Sequence, residues 1–406
     1  MSRGMDRQGR SFTPGAPPDT MDESRQPATS FRPRVRMPRE AIFEASLGYF
    51  LGPVREFLRD ETVSEIMVNG FDEIYVERHG RLYETDAAFP SEDALLSAVH
   101  NVAQYVGREI DEERPILDAR LPDGSRVHAV IPPSARRGTY LTIRKFLRDV
   151  LSLEDFVRLG SLSEAAREFL DVCVKLRKNM LIAGGTGTGK TSLLNAISTA
   201  IPGDERVVVI EDSSELRLAQ RHTLYLESQK ADADGRGEVN IRQLFVASLR
   251  MRPDRILVGE VRGGEALDMV QSMISGHSGS LTTVHATSPR DSLVRLETLS
   301  LMSDVDIPIY VARAQVASAI HLIVQISRFV EDGSRKITRI TEATGLDEGD
   351  RYTFRDLFVS RLKGRTADGR LVASLDWTGT KPSFAAEPAE QGLDDRIRLT
   401  REMWAG

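Results

Sequence analysis

The sequence predicts an α/β protein in which a mostly parallel sheet carries helices on both faces, with a smaller α+β domain before it and β-hairpins after it. Three observations predict this. Between residues 179 and 260 the runs NMLIAG, RVVVIE and RILVGE are almost purely apolar, as strands buried on both faces are. Helical patterns such as TSLLNAIS and GEALDMVQSMIS alternate with them, as covering helices do in a parallel sheet. On either side of this region the pattern changes to short extended segments separated by turn residues.

Taken in order, residues 1–38 are rich in Pro, Ser, Arg and Asp and poor in large apolar side chains. They cannot bury enough surface to offset the entropy of ordering, so a disordered tail is expected. Its basic end, Arg32, Arg34, Arg36 and Arg39, reads as a solvated arm. Residues 39–148 should form the α+β domain. A helical stretch EAIFEASLGYFLGPVREFL leads into SEIMVN, EIYVER and RLYET, and a helix EDALLSAVHNVAQYVG aligns Leu95, Ala98, Val99, Val102 and Val106. Then come PILDARL, a turn at Asp123-Gly124, SRVHAVI and TYLTIRKF. The segment RKFLRDVLSLEDFVRLG is the expected hinge into a second domain, 149–385. There Ser161 and Glu164 have the spacing of a capping box before SEAAREFLDVCVKL. Leu267, Val270, Met273 and Ile274 form the expected core stripe of a later helix. After residue 330, RKITRITEA, RYTFRDLFV and GRLVASLDW read as hairpins, and 386–406 as a flexible tail.

Composition narrows the function. Hydrophobic residues make up 40% and charged residues 28%, a soluble balance, and no apolar run is long enough to span a bilayer. The first thirty residues lack the apolar core of a signal peptide, so a cytoplasmic location with only peripheral membrane association is expected. A net charge of −6 argues against a nucleic-acid binder, which usually leaves a basic footprint. The single cysteine, Cys173, sits in the apolar pattern FLDVCVKL and reads as a buried thiol. One cysteine permits neither an internal disulfide nor a Cys-rich zinc site.

The residues that carry chemistry begin with Gly184, Gly185, Thr186, Gly187, Thr188, Gly189, Lys190 and Thr191, a full G-x-x-x-x-G-K-T, with Ser192 after it. An apolar strand precedes the loop and a helix follows, the arrangement in which backbone N–H groups and a helix N-terminus cradle phosphate. Lys190 should neutralise the outer phosphates of ATP, and Thr191 should offer its hydroxyl to Mg²⁺. Downstream, RILVGE ends an apolar strand on Glu260, which can reach the metal and the attacking water. The run VVVIEDSSE ends another strand on Glu211, either a residue that orients or deprotonates the water or part of a solvated turn. In GHSGSLTTVHA, His277 and His285 stand eight apart, which does not match zinc spacing but would place both on one face of an extended strand. By their residues alone they read as a structural pair.

In order and spacing, the phosphate loop, the acid-ending strand, GEVRGGEA and GHSGSLTTVHA resemble the Walker A, Asp box, Walker B and His box of the type II/IV secretion ATPase superfamily. RPILDARLPDGSRVHAVIPP and LTIRKF resemble the nucleotide-facing domain of its CpaF-type branch, which serves Tad (Flp) pili. The resemblance spans about residues 50–380 and implies a RecA-like core hydrolysing ATP with Mg²⁺, working as a homo-hexamer on an integral inner-membrane platform protein. It assigns Glu211 to the Asp box, Glu260 to Walker B, and His277 and His285 to a nucleotide-sensing pair. It also makes Arg120, Arg126 and Arg144, joined by Arg262, arginines that close over the phosphates. The missing cysteine cluster sets the chain apart from zinc-bearing GspE-type relatives. Within the superfamily the rival reading is a type IV secretion ATPase or an archaellum-type motor. Outside it the rivals are a nucleic-acid translocase, disfavoured by the acidic balance and the His box, and a non-hydrolysing scaffold, disfavoured by the presence of both acids.

Overall fold

The computed structural model of the protein describes residues 48–78, 80–146, 151–231, 235–366 and 369–404. The tail expected over 1–38 and the start of the helical stretch after it lie outside the described residues.

Two sheets organise the chain. In the first, the strands are β1 (Val63–Val68), β2 (Ile74–Arg78), β3 (Arg81–Glu84), β4 (Ile116–Arg120), β5 (Arg126–Val130) and β6 (Tyr140–Arg144), all antiparallel in the order β3-β2-β1-β6-β5-β4. Helix Glu92–Tyr105 opens on Ser91, whose hydroxyl accepts the Ala94 N–H, and buries Leu95, Ala98, Val99 and Val102 with the apolar residues of the sheet. The register aligns charges across the strands. Arg120 pairs with Arg126, Arg126 with Arg144, and Arg144 with Glu65 of β1.

The second sheet contains β7 (Met180–Gly184), β8 (Val207–Glu211), β9 (Thr223–Glu227), β10 (Arg255–Val258), β11 (Leu281–His285), β12 (Leu322–Arg328), β13 (Arg335–Leu346), β14 (Tyr352–Arg365) and β15 (Leu371–Trp377), in the order β15-β14-β13-β12-β7-β11-β10-β8-β9. The six strands from β12 to β9 are parallel, and β13–β15 extend the sheet as an antiparallel meander. β7 is the fifth of the nine strands. Its residues are buried on both sides: Met180 and Ile182 join the core with helices Glu164–Lys175 and Lys190–Ser198, while Leu181 and Ala183 join the core with helices Glu265–Ile274 and Pro289–Leu301. This is the α/β architecture that the apolar runs predict.

Three local expectations are corrected. Ser163, not Ser161, caps helix Glu164–Lys175, its hydroxyl accepting the Ala166 N–H. Ser161 instead donates to the Arg335 carbonyl. Ile274, the last residue of its helix, is exposed because it stands past the end of the core it was expected to join. Residues 386–404 are not frayed. The Glu168 carboxylate accepts the backbone N–H groups of Arg398, Leu399 and Thr400 and the Thr400 hydroxyl, Trp404 stacks on Phe169 at 5.3 Å, and Glu387 pairs with Lys178 at 2.6 Å.

Candidate active site

Parallel strands deliver their carboxyl ends to one edge of the sheet, where open α/β sheets place ligands. Gly184 of β7 lies beside His285 of β11, and Val258 of β10 beside Ile210 of β8. The phosphate loop, Glu211, Glu260 and His285 therefore meet at one rim. The loop needs its glycines. A Cβ on Gly184 would stand 2.6 Å from the Ile326 carbonyl oxygen, and Gly189, the N-cap of helix Lys190–Ser198, adopts the left-handed φ of +91°. Thr188 braces the loop by donating to the Gly185 carbonyl at 2.9 Å. Thr186 at the loop tip and Ser192 on the first helical turn are exposed.

Lys190 is buried and donates to the Gly185 carbonyl at 3.0 Å, with its ammonium 3.4 Å from both ring nitrogens of His285. Burial holds the Lys190 ammonium below its ordinary pKa. Burial, and then the Lys190 charge, do the same to His285. Glu211 is buried and accepts the N–H groups of Glu215 and Leu216 at 2.9 and 3.0 Å. Burial outweighs those two bonds and pushes its carboxyl up to about 7.

Glu260 offers its two oxygens differently. Oε2 accepts from Arg262 Nε and Nη2 at 2.8 and 2.5 Å. Oε1 lies 2.7 Å from His285 Nε2, yet no donor points along a hydrogen-bonding line at it, so it is a buried acceptor left open. Arg262, expected on the phosphates, is thus engaged by Glu260, and its Nη1 stands 3.5 Å from Asp212.

The first sheet turns its arginine row toward this rim. Arg120 donates to the Ser213 hydroxyl and pairs with Glu227 at 3.1 Å, while Arg126 Nη1 is 3.8 Å from Glu215. Arg144 forms no ion pair among the described residues, but its charge reaches Lys190 and Arg335. Around the row, Lys230 pairs with Asp118 at 2.5 Å and Arg217 lies over the Phe146 ring at 4.5 Å. Arg126, Thr191, Glu211, Glu260 and Arg262 line one hollow.

His277 does not join this set. It precedes β11, on the turn between Gly276 at φ +114° and Gly279 at φ +83°, so the chain from His277 to His285 is not one extended strand. The length of β11, about 13 Å at 3.3 Å per residue, separates it from the rim that His285 occupies. Sequence reasoning assigned no role to Asp212 and Glu215, which it quoted only as part of an acidic run. It missed Arg328 and Arg335 altogether. Both lie beyond the four boxes, and their only signal was charge in a hairpin.

A family model described as "Type II/IV secretion system protein" matches residues 50–371. The chain belongs to this family. Among related sequences, it is 36% identical over 320 residues to "Type IV secretion system protein PtlH" of Bordetella pertussis, covering 72% of this chain and 94% of that one. It is 34% identical over 328 residues to "Type IV secretion system protein VirB11" of Bartonella henselae, covering 71% and 91%. Among solved structures, its fold is like that of the pilus retraction motor PilT with bound ADP (TM-score 0.50, 16% identity, 89% of this chain and 96% of that one). The Legionella pneumophila ATPase DotB is similar in fold too (TM-score 0.50, 20% identity, 75% and 82%). The RecA-like architecture that the four boxes imply is therefore a fold this chain shares with those two ATPases.

Proposed function

We propose that the chain is an ATP-hydrolysing motor that powers pilus assembly or protein secretion, acting as a ring of six on an integral inner-membrane platform protein from the cytoplasmic side. The observation that carries this reading is the meeting of the phosphate loop, two strand-end carboxylates and Arg126 of the first sheet around one hollow. The domains 39–148 and 149–385 are the two bodies whose relative rocking delivers the work.

The reaction is ATP + H₂O → ADP + phosphate. A water oxygen bonds to the γ-phosphorus as the bond from that phosphorus to the bridging oxygen breaks, in line. Loop N–H groups and Lys190 hold the phosphates. Glu260 Oε1, the open acceptor, takes the proton of the water, and Glu211 fixes the backbone that follows β8. Arg126 and Arg144 balance charge on the transferring group, as bidentate guanidinium groups suit phosphate oxygens. An oxygen set of the Thr191 hydroxyl and, through a water, the Glu260 carboxylate fits Mg²⁺, which would neutralise the outer phosphate oxygens when bound. His285 senses the same rim through Glu260 and Lys190.

The Tad (Flp) branch rests on the resemblance of the first domain. The type IV secretion names of PtlH and VirB11 favour a second reading, a type IV secretion motor, and neighbouring genes for prepilins or for conjugation components separate the two. The biochemical test is direct. Lys190→Ala should abolish turnover and weaken ATP binding. Glu260→Gln should bind ATP yet hydrolyse it at least ~10²-fold more slowly, the scale of a lost general base. Wild-type rates in either folded variant would refute the site.

A further inference from the structure

Glu77, near the end of β2, is the acid on which two arginines of the second sheet converge. Arg335 Nη2 stands 3.7 Å from Oε1 and Arg328 Nη1 3.7 Å from Oε2, while the Ser64 hydroxyl donates to Oε1 at 2.8 Å. Arg328 also donates to the Gly80 carbonyl of the first sheet's β2–β3 turn. Through Nε, the same Arg335 guanidinium donates to the Gly187 carbonyl of the phosphate loop at 2.9 Å, and its stem packs beside Gly189. One side chain thus holds the loop with one edge and the first sheet with the other.

The planarity of the peptide gives this contact a consequence. In a trans peptide the carbonyl of Gly187 and the N–H of Thr188 point in opposite directions. A donor that draws the Gly187 carbonyl outward therefore turns the Thr188 N–H inward, toward the space the phosphates take. Gly187 has a left-handed φ of +69° and no side chain to fix that plane, so an outside partner decides it. Arg335 is suited to the task. It is half-buried beside Arg328 and Arg144, and Glu77 is the carboxylate that balances it.

We infer that Arg335 and Glu77 are positioning residues. Arg335 orients the Gly187–Thr188 peptide for phosphate, and Glu77, by holding Arg335, makes the shape of the loop depend on the docking of the first sheet. The inference rests on the ATPase reading above and adds to it a route by which nucleotide binding and domain closure become one event.

The test is steady-state ATPase kinetics on the full chain for Arg335→Gln, Arg335→Lys, Glu77→Gln and the double Glu77→Gln/Arg335→Gln, with thermal unfolding in parallel. Losing a charge-assisted bond that acts in ground and transition state alike should raise KM for ATP ~10-fold in Arg335→Gln with kcat within ~3-fold. Glu77→Gln should raise KM by about 3-fold, and the double variant should be no worse than Arg335→Gln, because both remove one bridge. Arg335→Lys should not restore KM, since a single ammonium cannot serve both partners. An unchanged KM in Arg335→Gln, multiplicative effects in the double variant, or full rescue by lysine would overturn the inference. If Arg335→Gln does not fold, Glu77→Gln, which keeps an acceptor for Ser64, decides by its KM alone. A wild-type chain that hydrolyses no ATP sinks the functional reading, whereas an active wild type with silent variants sinks only this bridge.

Discussion

Two titrating side chains in the second sheet act against each other. Glu211, raised by burial to about 7, binds a proton in the folded state over pH 4.5–7 that it releases when unfolded, so its contribution to stability grows as pH falls and is lost as pH rises through 7. His321 has the opposite sign. Its Nδ1 accepts the Asn179 N–H, which demands the neutral ring, and burial lowers it to about 4. Its contribution is present above 6.5 and lost as pH falls toward 4. Each full proton is worth about 1.4 kcal/mol per pH unit, so between pH 6.5 and 5 the two nearly cancel. Removing one should unmask the other. In Glu211→Gln the denaturant midpoint should fall on acidification from pH 7 to 5, and in His321→Gln it should rise. Parallel slopes for the two variants would contradict these assignments. The sequence showed where Glu211 would be, since an acid ending an apolar strand after a phosphate loop can hardly be elsewhere. Its protonation was not legible, because that depends on the loop that folds over it. His321 carried no signal at all; one histidine before an apolar run looks the same whether its ring accepts a backbone N–H or faces solvent.

Regular elements were read from sequence more easily than the segments that tie them down. The strands β7, β8 and β10 declare themselves, being apolar on both faces, and helix patterns follow β7 and β10. The C-terminal segment does not. Its Pro, Glu, Asp and Gly residues suggest a loose end, while its anchors, Phe384, Ile397, Met403 and Trp404, follow neither a helical nor a strand period. What orders it is Glu168, on a helix more than two hundred residues earlier in the chain. Its carboxylate does for three successive N–H groups what an N-cap does for a helix. Glu168→Ala should cost about 3 kcal/mol, since buried donors lose a charged acceptor. Trp404→Ala should cost ~3–5 kcal/mol through the cavity against Phe169. Both are measured by chemical denaturation, and values under 0.5 kcal/mol would mean the segment is only loosely held.

At the scale of the whole molecule, the sequence named Arg120, Arg126 and Arg144 but could not say that they form one row. That follows from the register of β4, β5 and β6, fixed by the turn at Asp123-Gly124 and the strand pairing. Like charges directly opposite one another across strands repel, so the row is stable only against anions. Glu227 and Glu215 supply two of them, and phosphate would supply the rest. Arg126→Ala should therefore lower turnover by roughly 10²–10³, the loss of about 3–4 kcal/mol of transition-state stabilisation. A fragment starting at Ser152, which keeps the second sheet whole, should hydrolyse ATP as poorly. If both turn over like the full chain, the first sheet has no part in the chemistry. His277 marks the opposite failure. An even spacing in sequence suggested a shared face, and two turn glycines broke the strand that would have made it so.

The position of β7 within its sheet bears on which part of the molecule can move. With four strands on either side, the strand that carries the phosphate loop has no free edge and no exposed face on which to yield. Bending it would disturb both cores at once. That strand, rather than the loop it carries, is thus the origin of coordinates for the machine. Nucleotide exchange should leave the strand in place, and displacement should grow outward from it, as toward the rim of a wheel. A partner that is to feel a large stroke should grip the far side of the first sheet rather than the rim where the chemistry occurs.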